Sequence, residues 1–249
     1  MTDMTDWRGE IVGHRGAAGL APENTLAAME AGIAAGADRL EFDVRATVDG
    51  HAVVFHDARL DRFRGPGAAF DKMVGRLPLA ELTAIDVGEV LGTPGCLIPS
   101  LDDVLRALAG RVRLNVEAKG SGADGLITVA ACIRGIRAHG VVADTILSSF
   151  HEPVLRRAAA DAEDIARGFI ADDRTSGDPV AIARGVGSVA LHASVRIADG
   201  ALMVRCRDAG LQLRVWTVND PVEMKRWIDA GVDGIVTDFP DRLRAVAGR

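Results

Sequence analysis

Arg39-Leu40-Glu41-Phe42-Asp43-Val44 alternates apolar and charged side chains. A period of two is that of a β-strand, whose side chains point to opposite faces in turn. Leu40, Phe42 and Val44 therefore share one face, and Glu41 and Asp43 the other. The apolar set suits a layer of covering helices, which leaves both acids facing the mouth of a barrel. The parity recurs further along. Leu114 and Val116 face one way, and Glu117 and Lys119 the other.

Outward from this stretch, apolar β-type runs alternate with helical runs. Strands read near 10–13, 39–44, 113–116, 145–148, 165–170, 188–191, 212–216 and 234–237. Helices read at about 24–35, with Leu26, Met29 and Ile33 on one side, at 126–138 and at 241–247. Asn24 is a candidate N-cap for the first of these. Another helix begins at Ser100, an N-cap followed by Asp102 and Asp103 in the first turn. A short accessory strand at Ala52–Phe55 follows the turn pair Asp49-Gly50. The remaining eight strand–helix steps predict an α/β fold, a (β/α)8 TIM barrel with a small insertion after the second strand. A doubly wound sheet is the competitor, but no GxGxxG opens a helix.

The 249 residues suit one such domain over 1–249. Between Asp57 and Ser100 lie roughly forty residues, where a βα loop usually takes about 2–6. That connection, about 58–99, reads as an insertion beside the mouth. It contains Gly65-Pro66-Gly67, Leu77-Pro78-Leu79 and Thr93-Pro94-Gly95.

Hydrophobic residues make up 48%, which suits buried parallel strands, and the net charge is −6. That balance argues against a nucleic-acid partner, and no basic run suggests an anionic membrane. Cys96, Cys132 and Cys206 are scattered, so neither a disulfide framework nor a zinc site is indicated. No apolar stretch has transmembrane length. The polar start, with Asp3, Asp6, Arg8 and Glu10, lacks the apolar region of a secretory signal. The expectation is a cytoplasmic protein with no stable membrane insertion. A homodimer is left open.

The chemistry-bearing residues stand at strand ends, where barrels of this kind place their sites. Glu41, Asp43 and Glu117, converging, would repel one another unless a cation sat among them. An all-oxygen donor set favours Mg2+ or Ca2+, with Mn2+ as a third option, over zinc. His14 and His56 each end a strand, and imidazole titrates near neutrality, so one could accept a proton while the other donates. Asp57 could orient an imidazole or cap the following turn. Arg15 suits bidentate contact with phosphate oxygens, or an ion pair with one of the acids. Lys119 offers a point charge to a phosphate oxygen. Trp216 and Phe150, with Ser149 and His151, are candidate walls of the same mouth. His51 and His139 read as solvated, His192 as undecided, and Glu23 as more than a capping residue.

These residues fall in an ordered set: Gly13-His14-Arg15-Gly16, Pro22-Glu23-Asn24-Thr25, Glu41-Phe42-Asp43-Val44, His56-Asp57, Ile98-Pro99-Ser100-Leu101, Glu117-Ala118-Lys119, Trp216-Thr217-Val218-Asn219 and Gly231-Val232-Asp233-Gly234-Ile235. In this the chain resembles the glycerophosphodiester phosphodiesterases, in particular the short cytoplasmic bacterial members. The resemblance implies one divalent metal on Glu41, Asp43 and Glu117, usually Ca2+ or Mg2+. It implies His14 and His56 as the acid/base pair, and Arg15 and Lys119 near the phosphate. It implies hydrolysis of glycerophosphodiesters to sn-glycerol 3-phosphate and an alcohol. It also suggests attack by the glycerol 2-hydroxyl, giving a cyclic phosphate that water opens.

One stretch departs from the family pattern. After Asp61-Arg62, Phe63 and Arg64 stand where threonines are usual, which bears on the insertion's shape and the substrate range. Three other readings compete. A lysophospholipase D-type enzyme would want an apolar rim, for which Phe63, Phe70 and Met73 are candidates among Arg59, Arg62, Arg64 and Lys72. A catalytically inactive phosphate binder would have lost a histidine or an acid. A sugar-phosphate aldolase using Lys119 would leave the histidines and acids unexplained.

Overall fold

The computed structural model describes residues 7–63 and 72–249. Eight strands pair in parallel: β1 (Glu10–Gly13), β2 (Arg39–Ala46), β4 (Arg113–Ala118), β5 (Thr145–Ser149), β6 (Ala166–Ala171), β7 (Ala190–Ser194), β8 (Gln212–Trp216) and β9 (Gly234–Thr237). β1 bonds to both β2 and β9, which closes the sheet into a barrel. The ninth strand, β3 (Ala52–Val54), is antiparallel to the upper end of β2, with Val44 opposite Val54 and Ala46 opposite Ala52. β3 is therefore a hairpin appended to the barrel rim and not a barrel stave. Thr47 donates to Asp49 (2.5 Å) across the turn, and the Asp49 carboxylate also accepts from the Leu79 amide (3.2 Å).

Strand parity assigns the core. Leu40, Phe42, Val44, Leu114, Val116 and Leu147 face outward and pack with Met29, Leu105, Val129 and Ile136 of the covering helices. Ile11, Phe169, Leu191, Leu213, Val215 and Ile235 do the same on the other half, with Leu155, Leu202, Met224 and Trp227. Each such side chain contributes about 1.5–3 kcal/mol by leaving water. The insertion has a core of its own: Leu60, Phe63, Val74, Leu77, Leu82, Val87 and Ile98 pack with Val53 and Phe55 of the hairpin.

Two expectations for the first helix are corrected. It spans Leu26–Ala34, and its N-cap is Thr25, whose hydroxyl accepts from the Ala28 amide at 3.2 Å. Asn24 lies outside it with a φ of 58°. The buried face is Ala28, Met29 and Gly32, whereas Leu26 is 40% exposed. The helix lies so close to the barrel that small residues face inward. A Cβ on Gly32 would meet Leu40 at 2.6 Å, and one on Gly16 (φ +86°) would meet the Ala28 backbone at 2.6 Å. Ser100 caps its helix as expected, through the Asp103 amide. The third parallel strand, β4, runs on to Ala118, and β7 lies further along than its apolar run indicated, with His192 in its interior.

Among the described residues no helix is long and apolar enough to cross a membrane. Phe63 is 4% exposed in the insertion's core, so it forms no apolar rim. Arg64, Gly65-Pro66-Gly67 and Phe70, like Asp3 and Asp6, lie outside the described residues.

Candidate active site

Inward parity and strand register bring the three acids together. β2 and β4 are paired so that Asp43 lies opposite Glu117 and Glu41 opposite Asn115. Carboxylate oxygens of Glu41, Asp43 and Glu117 all lie within 4.8 Å of one another, and the three residues are 5%, 1% and 6% exposed. Lys119 bridges two of them, at 2.9 Å from Asp43 and 2.6 Å from Glu117. Arg15 stands 3.4 Å from Asp43, and its backbone amide donates to Glu41 at 2.9 Å. The Arg15 ion pair left open by the sequence is therefore made with Asp43, and also with Glu23 at 2.7 Å.

Burial among like charges divides the acids. Glu41 is pushed up to about 7 by burial and then by the charge of Asp43. Burial also drives Glu117 upward against the pull of Lys119. Burial opposes ionisation of Asp43 too, but Lys119 and Arg15 overcome it and hold that carboxyl well below its usual range. The convergent, all-oxygen donors fit a hard divalent cation of the Mg2+ or Ca2+ type, and neither sulfur nor imidazole joins the set.

Each strand-end histidine is braced by a carboxylate. His14 Nδ1 meets Asp238 at 2.6 Å, and its Nε2 is 4.0 Å from Glu41. His56 Nδ1 meets Asp57 at 2.7 Å, which decides for Asp57 the orienting contact over a turn cap. Arg45 donates to the His56 carbonyl at 2.8 Å and fixes the backbone there. The two imidazoles are driven in opposite directions. Burial would lower His14, but the Asp238 hydrogen bond and the Glu41 charge outweigh it and raise its pKa. Burial lowers His56, and Asp43 only partly offsets this.

A cavity of about 810 Å3 opens over these groups, lined by His14, Arg15, Glu41, Asp43, His56, Glu117 and Lys119. Ser149, Phe150, His151 and Trp216 line it as well. The Phe150 and Trp216 rings meet edge to face with centroids 5.6 Å apart, and Lys119 stands 5.7 Å from the Phe150 centroid. His192, undecided in the sequence, is a buried barrel-interior residue beside Asn115 (3.4 Å) and is held neutral by burial and by Arg214 and Arg39. His139 is not free in solvent, since it pairs with Asp102 at 3.2 Å.

Sequence reasoning missed two supporting residues. Asn24 donates to Asp43 (2.8 Å) and accepts from the Asp43 amide (3.1 Å), so its positive φ turns the side chain toward the acids. Asp238 braces His14 and is held in turn by Asn219 (2.5 Å). Its position just past the end of β9 was the available signal.

A (β/α)8 barrel that gathers acids, imidazoles and cations over one cavity at the C-terminal ends of its strands has the architecture of an enzyme. The chain belongs to the glycerophosphoryl diester phosphodiesterase family, whose model matches residues 14–242. It is 32% identical over 241 residues to the glycerophosphodiester phosphodiesterase of Caldanaerobacter subterraneus subsp. tengcongensis, covering 94% of this chain and 95% of the relative. A phosphodiesterase from Oleispira antarctica, solved in complex with the product sn-glycerol-3-phosphate, superposes with a TM-score of 0.85 at 27% identity, covering 96% of each chain. The glycerophosphodiester phosphodiesterase from Agrobacterium tumefaciens gives a TM-score of 0.80 at 28% identity, covering 95% of this chain and 99% of that one.

Proposed function

We propose that this chain, acting as a single domain, hydrolyses glycerophosphodiesters to sn-glycerol 3-phosphate and an alcohol. The proposed reaction depends on a divalent cation and on His14 and His56. The observation that carries the reading is one cavity holding a buried oxygen triad together with two imidazoles, each braced by its own carboxylate. Glu41, Asp43 and Glu117 would hold the ion, Mg2+ or Ca2+ in the first instance. When bound, it would lower the pKa of the attacking hydroxyl and offset charge on the phosphoryl group.

The chain's own residues supply the rest. Arg15 and Lys119 neutralise non-bridging phosphate oxygens. His56, favoured neutral, has its Nδ1 engaged by Asp57, which leaves Nε2 to take the proton of the glycerol 2-hydroxyl. His14, its Nδ1 held by Asp238, gives a proton to the leaving alcohol. The roles reverse when water opens the cyclic phosphate. Phe150 and Trp216 wall the substrate's organic end. The substrate is a small soluble molecule, and the expected compartment is the cytoplasm.

The test follows the released alcohol for every substrate, with a coupled assay for glycerol 3-phosphate from the soluble diesters. It compares glycerophosphocholine, glycerophosphoethanolamine, glycerophosphoglycerol and a lysolipid, each with and without added Mg2+ or Ca2+. Cation-dependent release from the soluble diesters is expected. Preference for the lysolipid would redirect the assignment to a lysophospholipase D, and no turnover of any diester would leave only a phosphate binder.

A further inference from the structure

Arg62 ties the insertion to the carboxylates that support the catalytic groups. Arg62 lies in the short 3-10 turn Asp61–Phe63, next to a residue buried in the insertion's core. Its guanidinium stands 4.8 Å from the Phe63 ring centroid, and that ring packs 5.3 Å from Phe55, the residue before His56. From this seat Arg62 makes three hydrogen bonds to the barrel mouth. Nε donates to Asp57 at 2.9 Å, while Nη1 and Nη2 fork onto Glu23 at 3.1 and 2.5 Å. Both acceptors are also committed to the site: Asp57 braces His56 through its other oxygen, and Glu23 Oε1, shared with Arg62, holds Arg15 at 2.7 Å.

We propose that Arg62 is a positioning residue. It transmits the rigidity of the insertion's core to His56 through Asp57 and to Arg15 through Glu23. Arg62 itself touches neither the acid triad nor His14. An isolated surface ion pair would contribute little, but a planar fork spanning two acceptors, with a buried ring beneath it, fixes direction as well as charge. Phe63 has a physical role in this arrangement, since it supplies both the anchor in the core and the face under the guanidinium. The proposal rests on the reading of His56 as an acid/base group, so the experiment separates the two.

Arg62→Ala should lower kcat on the order of 10- to 100-fold, because small displacements of a proton-transfer group are costly. Arg62→Lys should recover little, since one ammonium cannot span both acceptors. The acid limb of the kcat/KM profile should move in both variants. Arg76→Ala, exposed on the same insertion, should stay within about twofold of the parent. Combined with Asp57→Asn, Arg62→Ala should cost much less than the product of the single losses, because both act on one imidazole.

A second measurement is independent of turnover. In metal-free protein, Arg62→Ala, or Arg62→Lys if the alanine variant does not fold, should shift the His56 imidazole nitrogen resonances and leave those of His14 in place. Unchanged His56 resonances, or parent-like kcat with an unmoved pH profile in an enzyme that His56→Ala inactivates, would overturn the proposal. Shifted His56 resonances together with a fully active His56→Ala enzyme would support the strut and sink the catalytic assignment of His56 instead.

Discussion

The barrel interior holds two buried charge clusters, one at each end, and they are built on opposite plans. At the base, the single carboxylate of Glu10 is gripped by Arg39 (3.1 Å to each oxygen), Arg214 (2.9 and 2.6 Å) and Arg113 (2.6 Å). Burial opposes ionisation of Glu10, but Arg39 and Arg214 overwhelm it and bring the pKa down to about 2. At the mouth, three carboxylates crowd together and Glu41 is pushed up to about 7. At the base cations outnumber the one carboxylate and hold it ionised, whereas at the mouth the three carboxylates outnumber Lys119 and Arg15 and keep one another from ionising fully. Barrels place stability at the N-terminal face and chemistry at the C-terminal face, and these clusters show how that division is made in charge.

The contrast can be broken experimentally. The largest expected effect is at the mouth: excess chelator should abolish diester hydrolysis, and Mg2+ or Ca2+ should restore it. Persistent turnover in chelator would remove the cation from the mechanism. Next come His14→Ala and His56→Ala, each expected to lower kcat by about 10²–10⁴-fold with the melting transition intact, as read by steady-state kinetics and circular dichroism. Near-parent turnover in both would end the acid/base assignment.

Glu10→Gln tests the base. It leaves buried arginines uncompensated and should cost about 3–5 kcal/mol in denaturant titration, with kcat per folded molecule unchanged. A variant as stable as the parent would mean that the base cluster is idle.

The smallest effect lies in the pH dependence of stability, where the two ends should oppose each other. Glu10 titrates near 4.5 when free and about 2 in the fold, so its stabilisation is complete above 4.5 and disappears as the pH falls toward 2. That window spans on the order of 3 kcal/mol. Glu41 does the reverse. Between 4.5 and about 7 the folded, metal-free protein keeps a proton that the unfolded chain has released, so this group lowers stability as pH rises. Saturating divalent cation should flatten that second slope. Denaturant midpoints measured from pH 3 to 8 with and without cation check both, and a cation-insensitive slope between 4.5 and 7 would count against the triad as the ion's seat.

The period of two in Arg39–Val44 and Arg113–Lys119 made the barrel and the inward acids legible, because a strand leaves only two faces to choose between. What was hidden depends on contacts distant in sequence. Asp238 lies far along the chain from His14, and Asn24 resembles an ordinary cap until its positive φ turns it onto Asp43. Glu10 reads as part of a polar start, and only barrel closure shows that it is locked among arginines. Phe63 looked like a departure from family pattern at the rim, and its place in a separate small core follows from tertiary packing alone.

Among the described strands β3 pairs with the outer length of β2 alone, so the barrel's closure is independent of whatever the hairpin carries. The segment it launches is in effect a cassette. A graft along the β2–β3 seam should leave the hydrolytic chassis uncut, so long as it brings an arginine to grip the two carboxylates at the junction.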